Sequence, residues 1–368
     1  MIKVMFAIGT RPEGIKLAPV YLYCKKYPRE VKPILVATSQ HEELLQEVFK
    51  DFRIKPDFNL HIMKKNQTLY DITAAVLLKM ENVLKEVNPQ IVIVQGDTTT
   101  VLSVSLSAYY QKIDVGHVEA GLRSHNKYDP FPEEINRKLT THIADINFAP
   151  TKLAAKNLLR EGIDKRKIFI TGNTSVDALF FILKRKWREK INIDNNKKLI
   201  LVTAHRRESF GKGLKNIALA LKEIGKIHDV EIVYPLHPNP NVQEVMRKIL
   251  ANSPNIHLLK PLNYIDFANL MRKSYLILTD SGGIQEEAPS LNIPVLVMRN
   301  VTERPEAIFA GRAKLVGTKK ENIVKETQKL LRGGPSYQRM TKGKNPYGDG
   351  RAAERIVKIL IDKYKAKL

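Results

Sequence analysis

The sequence predicts an α/β fold built from two doubly wound domains, and three observations predict it. Short β-branched runs alternate with helix-length amphipathic segments, the runs are apolar at nearly every position, and the pattern starts again beyond residue 171. A strand with helices on both of its faces needs apolar side chains on both sides, so continuous rather than alternating runs indicate parallel sheets covered on both faces.

In the first set, strands are expected at KVMFAI (3 to 8), PILVAT (33 to 38), IVIVQ (91 to 95), DVGHVE (114 to 119), INFAP (146 to 150) and KIFIT (167 to 171). In the second they are expected at LILVTA (199 to 204), EIVYPL (231 to 236), NIHLL (255 to 259), YLILT (275 to 279), PVLVM (294 to 298) and AKLVG (313 to 317). Amphipathic stretches such as GLKNIALALKEIGKIH separate them. The expected domains are residues 1–171 and 172–350, with the boundary near TGNTSVDALFF (171 to 181), INIDNNKK (191 to 198) as connector and a cleft between them. The segment 333–350 is rich in Gly and Pro, and the last amphipathic helix, 351–368, is expected to pack back on the first domain.

Composition narrows the function. The chain has 368 residues, 43% of them hydrophobic, enough for two cores. Cys24 is the single cysteine, so no internal disulfide is expected. The amino terminus lacks a leader-like apolar run, and no window offers about 18 uninterrupted apolar residues, so a cytoplasmic protein without a membrane span is expected. The formal charge is +23, but the Lys and Arg residues are scattered and carry no zinc-finger or RNA-binding signature. Solvated helix faces and an acidic small substrate explain the excess better than nucleic acid or a membrane surface does.

Ligands of open α/β sheets bind past the carboxyl ends of the strands. Those positions are polar here: GTRPEGIK carries Arg11 and Lys16, GDTTT carries Asp97, DVGHVE ends in Glu119, and HRRES begins with His205. TDSGGIQEE places Ser281, Gly282 and Gly283 at a strand-to-helix turn where backbone N–H groups can approach a phosphate. Its spacing is neither a dinucleotide fingerprint nor a Walker loop. Glu286 fits a helix-dipole role at the helix start, and Glu287 fits a carboxylate that accepts from two ribose hydroxyls. Arg11, Lys16 and Arg304 together suggest a clamp for a diphosphate leaving group.

Asp97, Glu119, Glu133 and His205 remain as a set suited to general acid/base work. Asp97 could equally cap its helix, and His205 could be structural. No D-x-D, H-E-x-x-H or C-x-x-C occurs, so no metal is expected.

GTRPE with Lys16, QGDT, GHVEAGLR, FPEEINR, TAHRRES, YPLHPNPNV and TDSGGIQEEAPSLNIPVLVMRNVTERPEA, in this order, resemble the non-hydrolysing UDP-N-acetylglucosamine 2-epimerase family over nearly the whole chain. The resemblance implies a glycosyltransferase-B architecture of two Rossmann-like domains, a homodimer, and interconversion of UDP-GlcNAc and UDP-ManNAc with no NAD or metal cofactor. It also implies catalytic roles for Asp97, Glu119, Glu133 and His205, and nucleotide contacts from Arg11, Lys16, Ser281, Gly282, Gly283, Glu287, Arg304 and Phe267. Core packing is the other reading of Phe267. Leu262 stands where some relatives carry a uracil-contacting glutamine. Gln40, His41, Gln67, Arg206 and His237 lie in motifs matching an effector site for a second UDP-GlcNAc. A UDP-sugar transferase of the same architecture and a hydrolysing epimerase are the rival readings.

Overall fold

The computed structural model describes residues 1–39, 42–64 and 66–365. The chain divides into two compact units, Met1–Phe181 with Tyr347–Leu368, and Ile182–Pro346.

The first unit runs β1 (Ile2–Ile8), α1 (Arg11–Cys24), β2 (Val31–Ala37), α2 (Glu42–Phe52), β3 (Phe58–Asn59), α3 (Leu69–Val87) and β4 (Ile91–Gln95). It continues through α4 (Thr99–Tyr110), β5 (Asp114–Val118), α5 (Glu133–Ile143), β6 (Ile146–Ala149), α6 (Lys152–Arg160), β7 (Ile168–Ile170) and α7 (Thr174–Leu183), whose last two residues already belong to the second unit. The seven strands are parallel in the order β3-β2-β1-β4-β5-β6-β7. The chain reverses its direction of travel across the sheet between β1 and β4, which makes their carboxyl ends the switch point where such sheets bind ligands.

Every residue of β4 is buried, as a central strand covered on both faces requires. On one face Val92 and Val94 pack with Val76, Met80 and Leu84 of α3 and Val104 of α4. Helix α3 starts with a capping box: Thr68 Oγ1 accepts from Asp71 N at 3.2 Å and the Asp71 carboxylate accepts from Thr68 N at 2.8 Å. The two-residue β3 is an edge strand that no apolar run announces.

The second unit contains β8 (Lys198–Thr203), α8 (Lys212–Ile224), β9 (Val230–Pro235), α9 (Pro240–Leu250), β10 (Ile256–Leu259), α10 (Tyr264–Lys273), β11 (Leu276–Thr279) and α11 (Gly282–Glu287). It is completed by β12 (Val295–Val297), α12 (Pro305–Phe309), β13 (Ala313–Leu315), α13 (Lys320–Leu331) and α14 (Pro335–Thr341). Its six parallel strands are ordered β10-β9-β8-β11-β12-β13, with a switch point between β8 and β11. Ile200, Val202, Leu278 and Leu296 form its core with Leu214, Ile217 and Leu221 of α8 and Met246 of α9.

Two local expectations change. Ser281 is the N-cap of α11, so the count starts at Gly282 and both Glu286 and Glu287 fall in the last turn rather than the first. The first unit also extends ten residues beyond residue 171, to Phe181. The reason is a set of ties to the returning segment. Asn173 N donates to Tyr347 O at 2.7 Å, and the buried Asp177 carboxylate accepts the N–H groups of Ala353 (2.9 Å) and Ala352 (3.2 Å). Those two donors open α15 (Ala352–Lys365), which packs on α1 within the same unit. Burial raises the Asp177 pKa to about 6 against the opposing pull of these N–H donors.

Candidate active site

In the first unit the candidate side chains stand on the turns that follow β1, β4 and β5 and on the start of α5. The β1–α1 turn is tight: a Cβ at Gly9 would lie 2.6 Å from Thr38 Oγ1 and 2.8 Å from Thr100 Oγ1, so only glycine fits. Arg11 opens α1 and is half-buried, and Lys16 is buried one turn later.

Lys16 Nζ is hydrogen-bonded and ion-paired to Glu119 Oε2. Glu119 has a backbone φ of 68°, in the left-handed region. A non-glycine residue there costs about 1–3 kcal/mol, a strain that concentrates at functional sites. Asn173 Nδ2 lies 3.4 Å from the same Glu119 oxygen.

Asp97 does not cap α4. Thr98 does, accepting from Val101 N at 3.2 Å, which leaves the half-buried Asp97 carboxylate to pair with Arg137. Asn136 Nδ2 donates to the Asp97 carbonyl at 3.0 Å, so α5 grips this turn through two consecutive side chains. Glu133 is the first residue of α5 and is half-buried. The neighbouring Glu134 is structural: it accepts from the backbone N–H groups of Ser124 (3.0 Å) and His125 (3.1 Å) and meets Arg137 at 3.2 Å. The cis peptide bonds Asp129–Pro130 and Phe131–Pro132 precede it.

Two side chains at this end of the sheet were missed from sequence. His117, fully buried on β5, places Nε2 2.7 Å from Gly96 O, and burial lowers its pKa to about 4. Glu13, in the GTRPE motif, is 1% exposed and accepts three hydrogen bonds from the turns around Arg11 and Asp97. Its signal was an acid between Arg11 and Lys16, in the first turn of a helix whose later residues are apolar.

In the second unit the switch point gathers His205 and Arg206 after β8 and Asp280 and Ser281 after β11. The fully buried Asp280, also missed from sequence, accepts the backbone N–H groups of His205 (2.6 Å) and Arg206 (2.8 Å) through Oδ2. Its Oδ1 lies 3.3 Å from His205 Nδ1. His237, after β9, stacks on His205 with ring centres 5.0 Å apart and an 8° interplanar angle. Burial and the adjacent His205 depress the His237 pKa.

Ser281 and Gly283 are half-buried, and Gly282 and Glu287 are buried. A Cβ at Gly282 would come within 2.4 Å of the Arg304 guanidinium, so this glycine is what lets Arg304 lie against the turn. Arg304 is held by two acids, Glu286 at 2.6 Å and Glu303 at 2.5 Å. The fully buried Glu286 therefore serves as an arginine partner rather than as a helix-dipole acid. For Glu303, burial opposes ionisation, but the guanidiniums of Arg304 and Arg299 outweigh it and hold its pKa well below the carboxylate range. Phe267 is half-buried on α10, and Leu262 is half-buried in the preceding loop.

Arg206 Nη2 lies 3.8 Å from Glu303 Oε1, the oxygen that also holds Arg304. Gln67 sits just before α3 in the first unit, where its Oε1 accepts from Lys64 N at 3.2 Å. Gln40 and His41 lie outside the described residues. Among the described residues, no group of three or more His, Cys, Asp or Glu is placed to hold a metal ion.

Comparison with known proteins places these features. A family model described as UDP-N-acetylglucosamine 2-epimerase matches residues 24–361. The chain is 50% identical over 366 residues to the UDP-N-acetylglucosamine 2-epimerase of Bacillus subtilis, covering 99% of this chain and 96% of that one. It is 50% identical over 369 residues to the Escherichia coli K12 enzyme of the same name, covering 97% and 98%. Among solved structures, the UDP-GlcNAc 2-epimerase from Neisseria meningitidis bound to UDP-GlcNAc superposes with a TM-score of 0.92 at 46% identity, covering 98% of this chain and 100% of that one. MurG from Acinetobacter baumannii, at a TM-score of 0.60 and 15% identity over 98% of this chain and 99% of that one, shares the fold alone. The two Rossmann-like sheets thus form a glycosyltransferase-B architecture, and the chain belongs to the UDP-N-acetylglucosamine 2-epimerase family.

Proposed function

We propose that this protein is an isomerase that interconverts UDP-GlcNAc and UDP-ManNAc, with no cofactor. The observation that carries the mechanism is the placing of Asp97, Glu119 and Glu133 on the turns beyond β4 and β5 and at the start of α5, with Lys16 paired to Glu119.

The proton on C2 of the sugar has no adjacent carbonyl to acidify it, so a carboxylate alone cannot remove it fast enough. Departure of the diphosphate from C1 solves this. As the C1–O bond breaks and its electron pair leaves with UDP, the C2–H bond electrons form the C1–C2 double bond of 2-acetamidoglucal, and a carboxylate takes the proton. UDP then adds back at C1 while an acid delivers a proton to the opposite face of C2. The first-unit carboxylates suit both proton transfers. Arg304, the Ser281-Gly282-Gly283 turn and His205 suit the charge that grows on the departing diphosphate, and Glu287 suits the ribose hydroxyls.

A homodimer belongs to the same reading. It is supported by the exposed apolar side chains Leu78, Tyr109, Tyr110 and Leu139 on α3, α4 and α5, which pack side by side in the first unit. Effector binding through Gln40, His41, Gln67, Arg206 and His237 belongs to it too. Its support is the Glu303 oxygen shared by Arg206 and Arg304. The product would supply ManNAc-type sugars to surface polysaccharide or glycan synthesis, and the place of action would be the cytoplasm. Among the described residues, no helix is long and apolar enough to cross a membrane.

The test is chromatography of the UDP-HexNAc pool after incubation with UDP-GlcNAc. UDP-ManNAc should appear with the native protein and not with Asp97→Asn, Glu119→Gln or Glu133→Gln. Release of free ManNAc with no UDP-ManNAc would replace this reading with a hydrolysing epimerase.

A further inference from the structure

The β1–α1 and β4–α4 turns lie beyond their strands, where the sheet's hydrogen-bond ladder no longer holds them in register. One side chain does so instead. Glu13 Oε2 accepts from Gly9 N at 2.7 Å, and Glu13 Oε1 accepts from both Thr10 Oγ1 at 2.9 Å and Thr98 Oγ1 at 2.8 Å. Thr98 spends its one hydroxyl proton on Glu13 while its oxygen caps α4 through Val101 N at 3.2 Å.

The neighbours of these contacts give the clamp its meaning. Arg11 follows Thr10 directly, Asp97 precedes Thr98 directly, and Lys16 lies on the same helix as Glu13. Glu13 is buried, and Gly9 N, Thr10 Oγ1 and Thr98 Oγ1 all donate to it from the two turns, so it faces protein rather than substrate. We propose that Glu13 is a positioning residue for the reaction, a carboxylate that locks the turn carrying Asp97 to the turn carrying Arg11. The proposal rests on the reading of Asp97 as a catalytic acid or base. Burial raises the Glu13 pKa to about 7, and the donors that surround it pull the other way.

Glu13→Gln keeps the shape but turns an amide N–H₂ or a single carbonyl oxygen toward three donors. Thr98→Val keeps Glu13 but removes one donor together with the α4 cap, whereas Thr98→Ser keeps both, so coupling to Glu13→Gln is what separates clamp from cap. A misplacement of about 1 Å in a reacting group can cost about 100-fold in rate. Glu13→Gln and Thr98→Val should therefore each lower kcat for epimerisation by about 10- to 100-fold, with calorimetric UDP binding at full stoichiometry and Kd changed by less than about threefold. Thr98→Ser should restore the native rate. Because both substitutions open the same clamp, the double variant should be no slower than the slower single variant.

A Glu13→Gln kcat within about twofold of the native value would overturn the proposal, and so would losses that multiply in the double variant. If Glu13→Gln fails to bind UDP at full stoichiometry because it is misfolded, the contrast between Thr98→Val and Thr98→Ser carries the test, and equal rates for those two would overturn it. Asp97→Asn, assayed alongside, separates the two claims. An active Asp97→Asn variant sinks the catalytic reading, whereas an inactive one beside a fully active Glu13→Gln sinks only the clamp.

Discussion

Lys16 and Glu119 form an ion pair whose side chains are only 10% and 6% exposed. A buried pair gains little over an apolar pair, but removing one partner strands the other charge. Lys16→Met should therefore abolish epimerisation and destabilise the first unit by about 3–5 kcal/mol, read as a lower midpoint in urea denaturation. Adding Glu119→Gln should recover most of that stability and none of the activity. Recovery of activity in the double variant would show that neither group takes part in the chemistry.

His117 and Glu13 give opposite pH signatures. His117 has a folded pKa of about 4 against an ordinary value of 6.5, so between these values the unfolded chain binds a proton that the native protein refuses. Stability therefore rises with pH across that window, by about 3 kcal/mol in total for this residue. His117→Asn, which retains a donor for the Gly96 carbonyl, should flatten the rise measured by urea denaturation from pH 4.5 to 6.5.

Glu13 shows the reverse. Its folded pKa of about 7 lies above the ordinary 4.5, so between these values the native protein holds a proton that the unfolded chain has lost. Stability falls as pH rises through that window, again by about 3 kcal/mol. Glu13→Gln should therefore gain stability relative to the native protein as pH climbs from 5 to 7. Parallel curves for the two proteins would contradict the assigned burial.

Arg304 lies against Gly282 and is oriented by Glu286 and Glu303. A charged hydrogen bond contributes about 1.5–3 kcal/mol, so Arg304→Ala should weaken UDP binding by about 10- to 100-fold in calorimetry. The loss should shrink as salt is raised. Gly282→Ala should act in the same direction, because the new methyl group occupies the guanidinium's place.

The exposed apolar face on α3, α4 and α5 should be covered by a second copy of the chain. Leu78→Glu combined with Tyr110→Glu should convert a dimer to a monomer in light scattering coupled to size exclusion. A native protein that elutes as a monomer would remove the dimer from the account.

Most strands were legible because buried strands leave short apolar runs bounded by polar turns, repeated in alternation with amphipathic segments. The residues that follow those strands were legible for the same reason: Asp97, Glu119, His205 and Ser281 interrupt an apolar pattern where a ligand would sit. Relationships between distant segments were not. Glu13 meets Thr98 across 85 positions and His205 meets Asp280 across 75, and neither pairing leaves a periodic trace. Thr98 and Asp97 are both good capping residues in adjacent positions, so only the backbone shows which one caps α4. Within the 171–181 stretch, the first unit ends at its far side because Asp177 is tied to α15, a contact 175 residues away that composition does not report.

Epimerisation by proton exchange is visible in proton NMR of the purified protein with UDP-GlcNAc in D2O, without added metal or NAD. UDP-ManNAc should appear, and both sugar-nucleotide pools should acquire deuterium at C2 through solvent exchange at the carboxylates. Epimerisation with C2 protium fully retained would contradict proton transfer by these residues. An unchanged UDP-GlcNAc pool, with UDP binding confirmed separately, would contradict the epimerase assignment itself and favour transfer of the sugar to an acceptor.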